Sequence, residues 1–106
     1  MDDFDIAALD EVIHGRVRLG IMAYLVGAES ADFGELKGRL NVTDGNLSVH
    51  LSKLEEAGYV AIDKGYNGKK PRTSARLTPE GRAAFARYLD AIGRLAHEAR
   101  AAPQGT

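Results

Sequence analysis

Apolar residues recur at three- and four-residue steps near the start of the chain: Ile6, Leu9, Ile13, Val17, Ile21 and Leu25. That spacing predicts a helix over 5–27, weakened at Gly15 and Gly20 and open to a break near His14-Gly15. A second, shorter helix is predicted over 32–40. Asp32 stands in its N-cap position, Glu35 follows three residues on, and Phe33, Leu36 and Leu40 form its buried stripe. Asn41 tolerates the left-handed conformation that ends a helix. Thr43 carries a hydroxyl suited to capping the next one. That third helix is predicted over about 44–57, with Leu47, Leu51 and Leu54 inward and Gly58 closing it.

Beyond Gly58 the pattern changes. Residues 59–64 and 72–77 read as two strands joined by a turn-rich stretch, 65–71, which holds two glycines and a proline. Together they predict a hairpin over 59–77 with a long basic tip. Tyr66 at the tip is expected to pack on the hairpin's own base, with packing on a sugar as the alternative. Thr78, Pro79 and Glu80 open a last helix over about 79–100. Phe85, Tyr88, Leu89, Ile92, Leu95, Ala96 and Ala99 give it a long apolar face. Residues 101–106 read as a frayed, disordered tail. The order is helix, helix, turn, helix, hairpin, helix. It describes one mainly helical α+β domain over 1–100, without repeat or linker.

Composition narrows the chemistry. The 106 residues suit one domain. The absence of cysteine excludes disulfides, thiol redox sensing and cysteine-based zinc sites. The start, Met1-Asp2-Asp3-Phe4-Asp5, is acidic and lacks the basic opening of a signal peptide. Its aspartates read as a solvated acidic segment rather than a cation site. The longest weakly polar run, 20–28, is too short for a bilayer. A cytoplasmic protein with no membrane partner is expected. His14, His50 and His97 are widely separated, and no metal site is expected from them. Ser48 and His50 point about 200° apart on a helix, so they form no local dyad. No other nucleophile–base pair, phosphate loop or carboxylate pair stands out, and neither an enzyme nor a cofactor is expected.

Net charge is −1, which alone argues against a nucleic-acid partner. Its distribution argues the other way. Residues 1–35 carry −6 and residues 36–82 carry +4, and the stretch from Lys64 to Arg76 holds five bases and no acid. An acidic body can still present one positive face.

The third helix shows what that face would serve. At 100° per residue, Leu51 and Leu54 fall within about 40° of Leu47. Gly45, Asn46, Val49, Ser52, Lys53 and Glu56 lie away from that side, with Ser48 and His50 on the flanks. Glu55 and Glu56, at the far end, are ordinary surface residues with no expected DNA contact. Near the N-terminus the outward face is small or polar. Such a face suits a helix pushed end-on into a major groove. Asn46 can bond adenine and Val49 can touch a thymine methyl, while Ser48, Ser52 and Lys53 suit bases or phosphates. Thr43, Gly45 and His50 complete the candidate contact set on this helix. On the hairpin, Lys64, Lys69, Lys70 and Arg72 are the candidates for phosphate or minor-groove contact, the last three nearest the tip.

Three blocks carry a family resemblance. They are Ile13-His14-Gly15-Arg16-Val17-Arg18-Leu19-Gly20-Ile21-Met22, the run from Gly45 through Leu54-Glu55-Glu56-Ala57-Gly58-Tyr59-Val60, and Gly68-Lys69-Lys70-Pro71-Arg72-Thr73 followed by Leu77-Thr78-Pro79-Glu80-Gly81-Arg82. Over about residues 9–90 the chain resembles the winged helix-turn-helix transcriptional regulators related to the MarR and ArsR families. The resemblance implies a homodimer on double-stranded DNA. Recognition helices would enter successive major grooves, and N- and C-terminal helices would form the interface. The apolar residues Ile6, Leu9 and Ile13 and, on the last helix, Phe85, Leu89, Ile92, Leu95, Ala96 and Ala99 are the expected contact. Metal-sensing relatives use cysteines, which this chain lacks. Larger relatives carry longer dimerisation helices and a small-molecule pocket. A small-molecule or protein effector is left open as a further partner. The competing reading is a winged-helix protein–protein module without DNA contact. Overall acidity favours it, and the basic hairpin and small polar helix face count against it.

Overall fold

The first helix begins at Arg16 rather than at the start of the apolar series. The computed structural model describes residues 5–101. Ile6–Ala8 forms a single 3-10 turn, and helix α1 spans Arg16–Gly27. The helix predicted over 5–27 breaks at His14-Gly15, where the sequence left a break open, and Gly15 becomes the N-cap of α1. Before it, two aspartates hold the backbone in turns. The Asp5 side chain accepts from the Ala7 N–H at 3.0 Å and the Asp10 side chain from the Val12 N–H at 2.9 Å. Such local bonds offer the backbone an alternative to the helix ladder. The start at Met1-Asp2-Asp3-Phe4 and the predicted tail from residue 102 onward lie outside the described residues.

The next elements are β1 (Ala31–Asp32), α2 (Phe33–Leu40) and α3 (Asp44–Glu56). Their caps follow the sequence. Asp32 Oδ1 accepts from the Glu35 N–H at 2.8 Å, and Thr43 Oγ1 accepts from the Asn46 N–H at 3.2 Å. Asn41 ends α2 with φ 54° and ψ 55°. Strands β2 (Val60–Asn67) and β3 (Lys70–Leu77) lead to α4 (Pro79–Ala101). The sheet is antiparallel, in the order β1-β3-β2. Strand β1 has no counterpart in the predicted pattern. It pairs Ala31 with Ala75 and Asp32 with Ser74.

The hairpin differs from expectation at its tip. Its register runs from Val60 opposite Leu77 to Asn67 opposite Lys70. The loop is therefore Gly68-Lys69, not the whole of 65–71. Gly68 takes φ 67°, the left-handed value that a two-residue hairpin turn needs at its first position. Pro71 sits within β3, opposite Tyr66. In an antiparallel ladder the closing pair exchanges hydrogen bonds and the next pair does not. Pro71 thus lacks an N–H only where the strand would point it outward, beyond the reach of β1. The longer strands also lift Tyr66 away from the core. It is 75% exposed and does not cover the hairpin base.

The core joins the helix stripes to one face of the sheet. Ile21, Met22 and Leu25 of α1, Leu36 of α2, Leu47, Leu51 and Leu54 of α3, and Val60, Ala75 and Leu77 of the sheet are buried together. Each large side chain so buried contributes about 1.5–3 kcal/mol. Helix α4 adds Ala84, Phe85 and Tyr88. Ile13 and Phe85, expected at a contact between protomers, lie inside this core at 0% and 5% exposure. The break before α1 turns Ile13 inward, and Phe85 belongs to the half of α4 that closes the domain. Thr78 fixes the entry to α4. Its hydroxyl donates to the Gly58 carbonyl at 2.6 Å and accepts from the Gly81 N–H at 2.9 Å.

Candidate nucleic-acid interface

Helix α3 is buried on its leucine side and open on the other. Gly45, Asn46, Ser48, Val49, Ser52 and Lys53 are all exposed, as is the cap Thr43. Val49 is 54% exposed, a bare aliphatic side chain on an otherwise polar surface. Asp44, the one acid in the first turn, is held by Lys37 at 2.8 Å. The exposed face beyond it presents amide, hydroxyl and aliphatic groups without a free carboxylate until Glu55.

The hairpin stands beside this face and leaves a cleft of about 560 Å³ between them. Ser48, Ser52 and Glu55 line its α3 wall, Ile62, Lys64 and Thr73 line its hairpin wall, and Phe33 and Leu51 close it. Glu55 is the one carboxylate among these lining residues. A carboxylate there repels phosphate.

The expected basic grip is divided by strand alternation. Cross-strand pairing puts Lys64 with Thr73, on the side that lines the cleft. Arg72 pairs with Gly65 and Lys70 with Asn67, one position out of phase, so both point to the opposite side. Arg72 also approaches Asp32, with Nε 4.0 Å from Oδ2. Arg76 approaches Asp63 at 3.7 Å. Lys69 occupies the turn. The wing therefore presents Lys64 and the exposed Tyr66 on one face, Lys70 and Arg72 on the other, and Lys69 at the tip.

His50 is only half exposed, because α1 engages it. Arg18 Nη1 lies 3.1 Å from His50 Nδ1. A guanidinium only donates, so Nδ1 accepts and the neutral ring carries its proton on Nε2. Burial lowers the His50 pKa below its ordinary value of 6.5, and the charges of Arg18 and Lys53 lower it further. His50 thus joins α3 to α1, a role that the sequence reading, which grouped it with the contact residues, did not anticipate. His14 Nδ1 lies 2.7 Å from the Tyr88 hydroxyl and ties the N-terminal segment to α4. Tyr59 does the same from the start of β2 by donating to Asp10, whose carboxylate pushes its pKa up to about 12. His97 lies on α4, and the described residues contain no cluster of three or more histidines and carboxylates that could hold a metal.

The expected dimer residues separate by exposure. Ile6 is exposed on the 3-10 turn, and Leu89, Ile92 and Ala99 are exposed on α4; Leu9, Leu95 and Ala96 are half-buried. Among the described residues, no helix is long and apolar enough to cross a membrane.

Helix, turn, helix and a two-stranded wing over one core define a winged helix. A family model for the winged helix DNA-binding domain matches residues 17–96, and the chain belongs to that family. An uncharacterized protein of Methanocaldococcus jannaschii is 42% identical over 79 residues, covering 74% of this chain and 86% of that one. A transcriptional regulator homologue from Pyrococcus horikoshii OT3 has a similar structure, with a TM-score of 0.83 and 28% identity, over 93% of this chain and 98% of that chain. A MarR family transcriptional regulator from Enterococcus faecalis V583 follows with a TM-score of 0.66 and 30% identity, over 89% and 80% of the two chains. The fold also occurs in an ArsR family regulator. The resemblance carried by the three sequence blocks therefore holds, and the structural relatives are described as transcriptional regulators.

Proposed function

We propose that the chain is a sequence-selective regulator that binds double-stranded DNA in the cytoplasm as a homodimer. The observation that carries this reading is the open, small and polar face of α3 beside a basic wing. Asn46 and Val49 read base edges in the major groove, with Gly45 allowing close approach and Ser48, Ser52 and Lys53 beside them. Thr43 presents the helix N-terminus. Lys64, Lys69, Lys70 and Arg72 hold backbone or minor groove from the two faces and tip of the wing.

The exposed Leu89 and Ile92 on α4, continued by Ala96 and Ala99, supply the dimer contact, with Ile6 alongside. A two-fold dimer favours a palindromic operator with half-sites about 10 base pairs apart.

Selection of bound genomic fragments, followed by affinity measurement across salt, tests the reading. Log affinity should fall with log salt by about 0.9 for each phosphate neutralised. Absence of binding to any fragment at low salt would overturn it in favour of a protein-binding module.

A further inference from the structure

We infer that Arg16 and Arg39 form a second phosphate-binding site, on the flank of the recognition helix away from the wing. The inference rests on the DNA-binding reading and adds to it a place on the duplex. A helix with its side chains is about 10–12 Å across, close to the width of the major groove. Once α3 fills the groove, a sugar–phosphate strand runs along each of its flanks. The wing stands on the flank of Ser48 and Ser52. The other flank carries His50, which is joined to α1.

On that side the N-terminus of α1 meets the turn that leads into α3. Arg16, Val17, Arg39, Leu40, Asn41 and Val42 line a hollow of about 410 Å³ there. It contains two guanidinium groups and no carboxylate. Both arginines are exposed. Among the described residues neither makes an ion pair, whereas the neighbouring Lys37 is taken by Asp44. Arg39 is positioned in advance. Its guanidinium carbon lies 5.5 Å from the centre of the Tyr24 ring, and the Tyr24 hydroxyl is bonded to Glu35. A planar, always-charged group held over a ring and facing an acid-free hollow suits a phosphodiester. The left-handed Asn41 turns the chain so that Asn41 and Val42, which lead into α3, line the same hollow as Arg39.

The test compares wild type, Arg16→Ala/Arg39→Ala, Arg16→Lys/Arg39→Lys and the wing variant Lys69→Ala/Lys70→Ala on a selected operator and a scrambled duplex. The double alanine variant should weaken both duplexes by the same factor and flatten the salt slope by about 0.9 for each phosphate lost. The double lysine variant should keep the slope. Phosphate-ethylation interference should lose one set of phosphates in the double alanine variant and a different set in the wing variant. The substituted side chains are exposed, and an unchanged melting temperature confirms the fold. A wild-type slope and interference pattern in the double alanine variant would overturn this inference alone. Failure of the wild type to bind any duplex would overturn it together with the reading on which it rests.

Discussion

A Cβ on Gly81 would lie 1.9 Å from the carbonyl oxygen of Tyr59. The first turn of α4 therefore rests directly on the backbone where β2 begins. The same junction holds the bonds from Thr78 to Gly58 and Gly81, and the Thr78 N–H donates to the Tyr59 carbonyl at 3.1 Å. Gly58 itself takes φ 82°. This contact brings Ala57-Gly58-Tyr59-Val60 and Leu77-Thr78-Pro79-Glu80-Gly81-Arg82 together. They are the two halves of one joint, between the end of the recognition helix and the start of α4.

Gly81→Ala should accordingly destabilise the domain by about 3 kcal/mol, the upper range for an overpacked site. Gly38→Ala is the control. A Cβ at Gly38, within α2, meets nothing within 4 Å. It should stabilise by about 0.5–1 kcal/mol through helix propensity. Urea unfolding midpoints compare the two. Similar midpoints would show that the α4 contact is not as close as the geometry gives it.

Stability should fall on mild acidification, and His50 should carry part of the fall. Its folded pKa lies below 6.5, so the unfolded chain takes up its proton first. Between the two values the unfolded state holds more protons, and stability rises with pH. The penalty is absent well above pH 6.5 and complete once pH drops below the folded value. His50→Gln keeps an acceptor for Arg18 but does not titrate. Its melting temperature should decline less between neutral pH and mild acid than that of the wild type, whereas parallel curves would remove His50 from the balance.

Base reading and backbone grip should separate by mutation. Asn46→Ala should reduce the preference for operator over scrambled duplex by about 1–3 kcal/mol. Its N–H remains available to Thr43, so the helix cap is kept. Lys70→Ala should weaken both duplexes alike and lower the salt slope by about 1. Equal effects of the two substitutions on preference would contradict this division.

Apolar residues of the predicted dimer face should split in the same way. Leu89, 51% exposed, can accept charge without disturbing the core. Leu89→Lys should shift the protein from dimer to monomer in light scattering and leave its melting transition cooperative. Ile13→Ala should instead cost about 2–5 kcal/mol in the protomer, as truncation of a buried aliphatic does. A monomeric wild type at micromolar concentration would count against the dimer itself.

Much of this architecture was legible because local chemistry and global pattern agree. Asp32, Asn41, Thr43 and Thr78 each perform the cap that their residue type announces. The glycines and proline between 59–64 and 72–77 located the hairpin. The misreadings arise where two signals compete. Ile6, Leu9 and Ile13 keep helical spacing, yet Asp10 diverts the backbone into a turn. Gly65 and Pro71 read as breakers, but the cross-strand register accommodates both inside strands. Strand β1 is only Ala31 and Asp32, too short to leave a period. The nearness of His50 to Arg18, and of Arg16 to Arg39, depends on how helices cross. No spacing along a single element encodes it.

Pro71 has a consequence beyond its own bonding. The outer half of β3 extends past the two residues paired with β1, leaving one side of the hairpin unpaired towards its tip. Bare strand edges recruit other strands and seed aggregation. Here that edge carries a proline, and basic side chains surround it. The wing can thus project far enough to meet a duplex while refusing edge-to-edge growth with another copy of itself.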